Sequence, residues 1–69
     1  MTDEEFNRNV KECVEQDRDK GRSAELAERV FKLNNERFTK ETKPSCGGCV
    51  ERVWRRMQNY YLQHNLINL

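Results

Sequence analysis

The chain has 69 residues, of which 35% are hydrophobic and 36% are charged, so it can form one small domain at most and suits a few amphipathic helices better than a layered α/β fold. Its formal net charge of +1 falls short of the charge of a nucleic-acid-binding polycation. It contains neither an apolar run of membrane-spanning length nor the basic-then-apolar opening of a signal peptide. We therefore expect no membrane partner.

The size of the chain indicates whether it needs a partner, and its cysteine content indicates its cellular compartment. A core formed by so few residues is marginal without a metal, a disulfide or a partner, so we expect a larger protein partner or a homo-oligomer. The three cysteines are an odd number, which argues against a secreted disulfide framework. The sequence therefore favours a reducing, cytoplasmic compartment.

The first predicted helix covers residues 3–19. Thr2 is the expected N-cap, and Glu5 completes a capping box three residues later. Gly21 is a plausible C-terminal stop. Apolar residues recur at helical spacing between these signals and form one narrow stripe: Phe6, Val10, Cys13 and Val14.

The second predicted helix covers residues 24–35, with Ser23 as its N-cap. Its apolar stripe consists of Leu26, Val30, Leu33 and Phe31. Phe38 extends that pattern by one more turn, so the end of this helix is not sharply defined. Residues 39–44 have no apolar side chain except the proline ring, and we expect them to form an exposed connector.

The third predicted helix covers residues 45–64, with Ser45 as its cap, and it is expected to be the longest and most amphipathic of the three. Its apolar face recurs at three- and four-residue steps: Cys46, Cys49, Val50, Val53, Trp54, Met57, Tyr60, Tyr61 and His64. The sequence contains no convincing strand. We therefore predict an all-α fold of three helices that forms a single domain over residues 1–69, docked on a partner or oligomeric.

The face of the third helix is the predicted partner-binding site. Large aromatic and aliphatic side chains are typical anchors of protein interfaces, and arginines at the rim orient the partner. The predicted anchors are Val50, Val53, Trp54, Met57 and Tyr61, and the predicted rim residues are Arg52, Arg55 and Arg56. The first two helices are expected to cover only part of this face.

Cys46 and Cys49 form a Cys-x-x-Cys pair at the start of the third helix. A redox site of this kind normally follows a strand, which the sequence does not predict, so we expect no enzyme. Zinc requires four ligands, and His64 lies about 22 Å further along the same helix. Cys13 adds a third sulfur at most, so a zinc site requires two chains in a clasp. We favour packing of both thiols as small apolar groups, with no cofactor bound.

An alternative function is nucleic-acid binding. Arg52, Arg55 and Arg56 are interleaved with aromatic residues, and arginines bind phosphate while aromatic rings stack on bases. The cluster has only three basic residues, and Trp54 shares a stripe with Met57 and Tyr61. Nucleic acid is therefore not the favoured partner.

Residues 33–62 also resemble short proteins encoded by tailed bacteriophages. In those proteins a lysine-rich linker and a [Ser/Thr]-Cys-x-x-Cys motif lead into a basic amphipathic helix. The resemblance implies a virion-associated or assembly role through protein–protein contacts, and no catalytic residue carries over from it. We predict a small non-enzymatic interaction or assembly protein, with a virion structural role as the specific form, and a nucleic-acid-binding or zinc-clasped regulatory protein as the alternative.

Overall fold

The computed structural model describes residues 1–38 and 47–69, with only the backbone described for residues 47–49. It contains helix α1 (Asp3–Lys20), helix α2 (Ala24–Arg37), helix α3 (Gly47–Gln63) and a short 3₁₀ helix (Leu66–Asn68). The described residues contain no strand, which confirms the predicted all-α class. The predicted connector and the predicted cap at Ser45 lie outside the described residues.

The local signals of the sequence place the helix ends. The Thr2 Oγ1 atom accepts a hydrogen bond from the Glu5 N–H at 3.1 Å, and the Ser23 Oγ atom accepts one from the Leu26 N–H at 3.1 Å. Gly21 adopts a positive φ of 82° and donates its N–H to the Asp17 carbonyl at 3.0 Å. The expected caps of α1 and α2 are thereby confirmed. The described part of α3 has 17 residues and α1 has 18, and because the residues before Gly47 lie outside the described part of the chain, the predicted length of α3 stays a prediction.

Side-chain contacts fix the relative directions of the helices. Arg37 of α2 pairs with Asp3 of α1, and Arg29 pairs with Glu12, so α1 and α2 are antiparallel. Two further contacts join Asn34 with Arg56 and Phe38 with Tyr60, so the residue numbers of the contacting pairs increase along both helices. Helices α2 and α3 therefore run in the same direction.

A single core lies between the three helices and the 3₁₀ helix. Its buried apolar residues are contributed by every element: Phe6, Val10, Cys13, Val14, Leu26, Val30, Phe31, Leu33, Val53, Trp54, Met57, Tyr61 and Leu66. The apolar stripes predicted for the first two helices are all in this set. Each stripe is one face of a helix, so three such faces directed inward are sufficient to close a core.

The segment after α3 packs onto its own chain. Asn65 adopts a left-handed conformation with φ 52°, which turns the chain, and Leu66 is buried in the core. The Lys11 ammonium group donates hydrogen bonds to the carbonyl oxygens of Ile67 at 3.3 Å and Leu69 at 3.1 Å. Residues 65–69 are therefore held against α1 and α3.

Candidate partner-binding site

Most of the predicted anchors lie inside the chain's own core. Val53, Trp54 and Met57 have no exposed surface, and Tyr61 is 2% exposed. The prediction that these four residues form an open docking surface is wrong, because the stripes of α1 and α2 cover them. Val50 is half-buried and packs against the edge of the same core.

The predicted rim residues have different environments. Arg52 and Arg55 are exposed on α3, as expected for a solvent-facing side. Arg56 is half-buried, and its Nη1 atom donates a hydrogen bond of 2.6 Å to Oδ1 of the fully buried Asn34. Arg56 therefore connects α3 to α2, and two of the three arginines face solvent.

Three large apolar side chains between residues 62 and 69 are exposed. Leu62, Ile67 and Leu69 have exposed fractions of 69%, 57% and 54%. We call this set the C-terminal apolar trio. The apolar spacing of α3 did not indicate Leu62 as a binding residue, because Leu62 lies outside the predicted apolar face, on the solvent side.

A cleft of about 310 Å³ lies between α1 and α3, next to Leu62. We call it the α1/α3 cleft. It is lined by Val14, Asp17, Arg18, Gln58, Tyr61 and Leu62. Val14 and Tyr61 are buried core residues, so they give the cleft an apolar base. Its volume is at the small end of the range of about 300–1,000 Å³ that is typical of ligand pockets.

Some polar groups of the cleft already form ion pairs or hydrogen bonds within the chain. The Arg22 Nε atom lies 3.2 Å from Oδ1 of Asp17, so the negative charge of Asp17 is paired. The Tyr61 hydroxyl donates to the Glu15 carboxylate at 2.9 Å, and the Arg18 guanidinium lies 5.9 Å from the centre of the Tyr61 ring. Burial, followed by the bond to Glu15, raises the pKa of Tyr61, so its hydroxyl remains a donor at neutral pH.

The aromatic residues near the C-terminal end of α3 are engaged with one another. The Tyr60 ring lies 5.4 Å from the Phe6 ring and 5.7 Å from the Phe38 ring, and its hydroxyl donates to Oδ1 of Asn7 at 2.5 Å. The exposed His64 ring stacks on Tyr60 with centroids 4.1 Å apart. Trp54 and Tyr61 are buried, and Tyr60 is packed against its neighbours. The faces of these three rings are therefore not exposed for stacking on bases, which the nucleic-acid alternative required.

The cysteines give no described metal site. Cys13 is buried and carries a free thiol, and burial raises the pKa of that thiol. Cys46 and the side chain of Cys49 lie outside the described residues, as does the zinc clasp predicted for them. Within the part of the chain that the structure describes, no three His, Cys, Asp or Glu side chains are grouped to hold a metal ion.

Comparison with protein-family models, with curated proteins and with solved structures found no match to this chain. None of the helices in residues 1–38 and 47–69 combines the length and the hydropathy that crossing a lipid bilayer requires. The surface geometry of the chain itself is therefore what indicates its function.

Proposed function

We propose that this protein is a small non-enzymatic binding module that attaches to a larger protein through the C-terminal apolar trio. The odd number of cysteines and the free thiol of Cys13 favour a reducing, cytoplasmic setting. The resemblance of residues 33–62 to short tailed-bacteriophage proteins points to a partner within an assembling virion. In this proposal the partner is a different protein, and the core of the module is complete within one chain.

The exposure of Leu62, Ile67 and Leu69 carries the proposal. Single exposed apolar residues are common on protein surfaces and require no explanation. Here three occur within one short segment of a chain that is only 35% hydrophobic. Burial of such side chains against a partner contributes roughly 25 cal/mol for each Å² of apolar surface removed from water.

The trio is presented on an anchored segment. Leu66 is buried between its exposed neighbours, and Lys11 holds the carbonyl oxygens of Ile67 and Leu69. A segment that is already ordered loses less conformational entropy when it binds. More of the free energy gained by burying apolar surface therefore contributes to affinity.

The nucleic-acid alternative has less support from the geometry. Arg52 and Arg55 are exposed, but the nearby aromatic rings are buried or packed against one another. Phosphate binding weakens steeply as salt rises, whereas apolar docking does not. The salt dependence of binding therefore separates the two functions.

Site-specific photo-crosslinking in the cells that make this protein tests the proposal. A photoreactive amino acid replaces Leu62 or Ile67 in two separate variants, and Glu28 on the exposed side of α2 in a matched control. We expect positions 62 and 67 to form an adduct with the same discrete protein, and position 28 to form none with it. Adducts that are absent at 62 and 67, or identical at all three positions, contradict the proposal.

The crosslinked partner then allows a direct affinity measurement with the purified proteins. The double variant Leu62→Ser/Ile67→Ser is expected to bind at least about tenfold more weakly, as for loss of a central interface residue. Both side chains are mostly exposed, so circular dichroism should show an unchanged fold. An unchanged affinity rules out the trio as the binding surface.

A further inference from the structure

The charge around the α1/α3 cleft indicates the chemistry of its occupant. Asp17 is paired with Arg22, whereas Arg18 has no carboxylate partner among residues 1–38 and 47–69. The Arg18 guanidinium lies 5.9 Å from the centre of the Tyr61 ring, and Arg18 is exposed to solvent. Within the described part of the chain, Arg18 therefore places a guanidinium without an ion pair at the rim of the cleft.

A second arginine lies one turn before Gln58, which lines the opposite wall of the cleft. Arg55 precedes Gln58 by three residues and Leu62 by seven, so the three side chains lie along one ridge of α3. Arg55 is exposed, and it forms no ion pair with any residue that the structure describes. Among the described residues, one guanidinium group without an ion pair thus lines the cleft on α1, and a second lies one turn away from it on α3.

Two carboxylates next to the cleft are already engaged. Asp17 binds Arg22, and Glu15 accepts the hydrogen bond from the Tyr61 hydroxyl. Val14, Tyr61 and Leu62 give the cleft an apolar base and one apolar wall. Leu62 also belongs to the C-terminal apolar trio, so a partner bound to the trio has direct access to the cleft.

We propose that the α1/α3 cleft receives an apolar side chain from an acidic peptide segment of the partner protein, with Arg18 and Arg55 binding the carboxylates that flank that side chain. This inference rests on the proposed function and specifies the partner's chemistry. The apolar base provides affinity, and the arginines select for acidic flanks. A basic segment of the same shape would place like charges beside both guanidinium groups.

Amide chemical shifts of the full chain, measured by NMR during titration with synthetic peptides, test this inference. The probe is acetyl-Glu-Glu-Leu-Leu-Glu-Glu-amide. One control peptide replaces every glutamate with lysine, and another replaces both leucines with serine. We expect the acidic, leucine-containing peptide to shift the amides of the cleft residues, above all Arg18, Gln58 and Leu62. Both controls should bind more weakly by a factor of at least about three.

A charge-reversal variant is expected to change the binding of the two peptides in opposite directions, which loss of the fold cannot do. Arg18→Glu should weaken binding of the acidic peptide about two- to fivefold and strengthen binding of the lysine peptide, since the sign of the rim charge changes. Lys32→Glu, which makes the same charge change at an exposed position on α2, should leave both affinities unchanged.

Three outcomes overturn the inference: no shift in the cleft, equal binding of the acidic and lysine peptides, or stronger shifts of the same amides by a single-stranded oligonucleotide. The result is independent of the crosslinking experiment. If Leu62 and Ile67 crosslink to a partner while the acidic peptide does not bind, only the chemistry assigned to the cleft fails. If neither experiment gives the expected result, the proposed function fails as well.

Discussion

At the scale of single residues, Trp54 combines complete burial with a hydrogen-bond donor that has no acceptor among the described residues. The indole has no exposed surface, and its Nε1–H meets no acceptor within the described part of the chain. The Arg22 guanidinium lies over the ring at 4.8 Å and contacts its face. A buried donor without a partner typically costs about 1–3 kcal/mol, so this side chain stabilises the core less than its size suggests.

Substitution of Trp54 measures that cost. Trp54→Phe loses apolar contact but also removes the unpaired N–H, so we expect the free energy of unfolding to stay within about 1 kcal/mol of the parent value. Trp54→Ala leaves a large cavity and should cost about 3–5 kcal/mol. Urea unfolding followed by circular dichroism provides both values. A loss above about 2 kcal/mol for the phenylalanine variant would show that the indole N–H has an acceptor.

At the scale of helices, a polar contact crosses between α2 and α3. Asn34 is fully buried, and its Oδ1 accepts the hydrogen bond from Nη1 of Arg56 at 2.6 Å. Apolar side chains slide past one another at little cost, whereas this contact has one geometry. The pair therefore helps to specify the register in which the two helices run in the same direction.

A double-mutant cycle on this pair tests its contribution. We expect Asn34→Ala to cost about 1–3 kcal/mol, because it removes an acceptor used by a charged donor. The coupling energy between Asn34→Ala and Arg56→Ala should be about 1–2 kcal/mol. The matched cycle with Arg55→Ala, at the exposed neighbouring position, should show coupling near zero. Equal coupling in the two cycles would mean that the contact does not join the helices.

At the scale of the whole molecule, one core joins all four helical elements. The radius of gyration is 11.1 Å, which is close to the value of about 11 Å expected for a folded chain of this length. Three ionisable side chains in or beside this core have a raised pKa, with burial as the largest cause: Cys13, Tyr60 and Tyr61. The protonated form of each of these side chains therefore favours the folded state.

Alkaline pH should therefore destabilise the protein. Below the ordinary Cys pKa of 9.0, the Cys13 thiol is protonated in both the folded and the unfolded chain, so stability does not depend on it. Above that pH the unfolded chain loses the proton first, and the free energy of unfolding falls by at most about 1.4 kcal/mol per pH unit for this group. The tyrosines add to the fall above their ordinary value of 10.0.

Urea unfolding between pH 7 and about pH 10.5, with a reductant present, measures this effect. Cys13→Ala is the matched control, since it keeps Cys46 and Cys49, and its stability should fall less between pH 8.5 and 9.5 than that of the parent protein. Parallel curves for the two proteins would show that the thiol of Cys13 is not protected by the core.

The sequence by itself determined the helices, because their signals are local. Thr2, Ser23 and Gly21 satisfy or terminate backbone hydrogen bonds within a few residues, and apolar spacing identifies which residues share a face. These features indicated the all-α class, both ends of α1, the start of α2 and the buried stripes.

Only the tertiary structure decided what covers each face. Periodicity places Trp54 and Tyr61 on one side of α3 but does not show whether that side meets α1 and α2 or another protein. Burial depends on how the helices are arranged in space, and that arrangement uses contacts between residues far apart in the chain, such as Asn34 with Arg56. The candidate site has the same origin, since the α1/α3 cleft and the exposure of Leu62 exist only after the helices have packed.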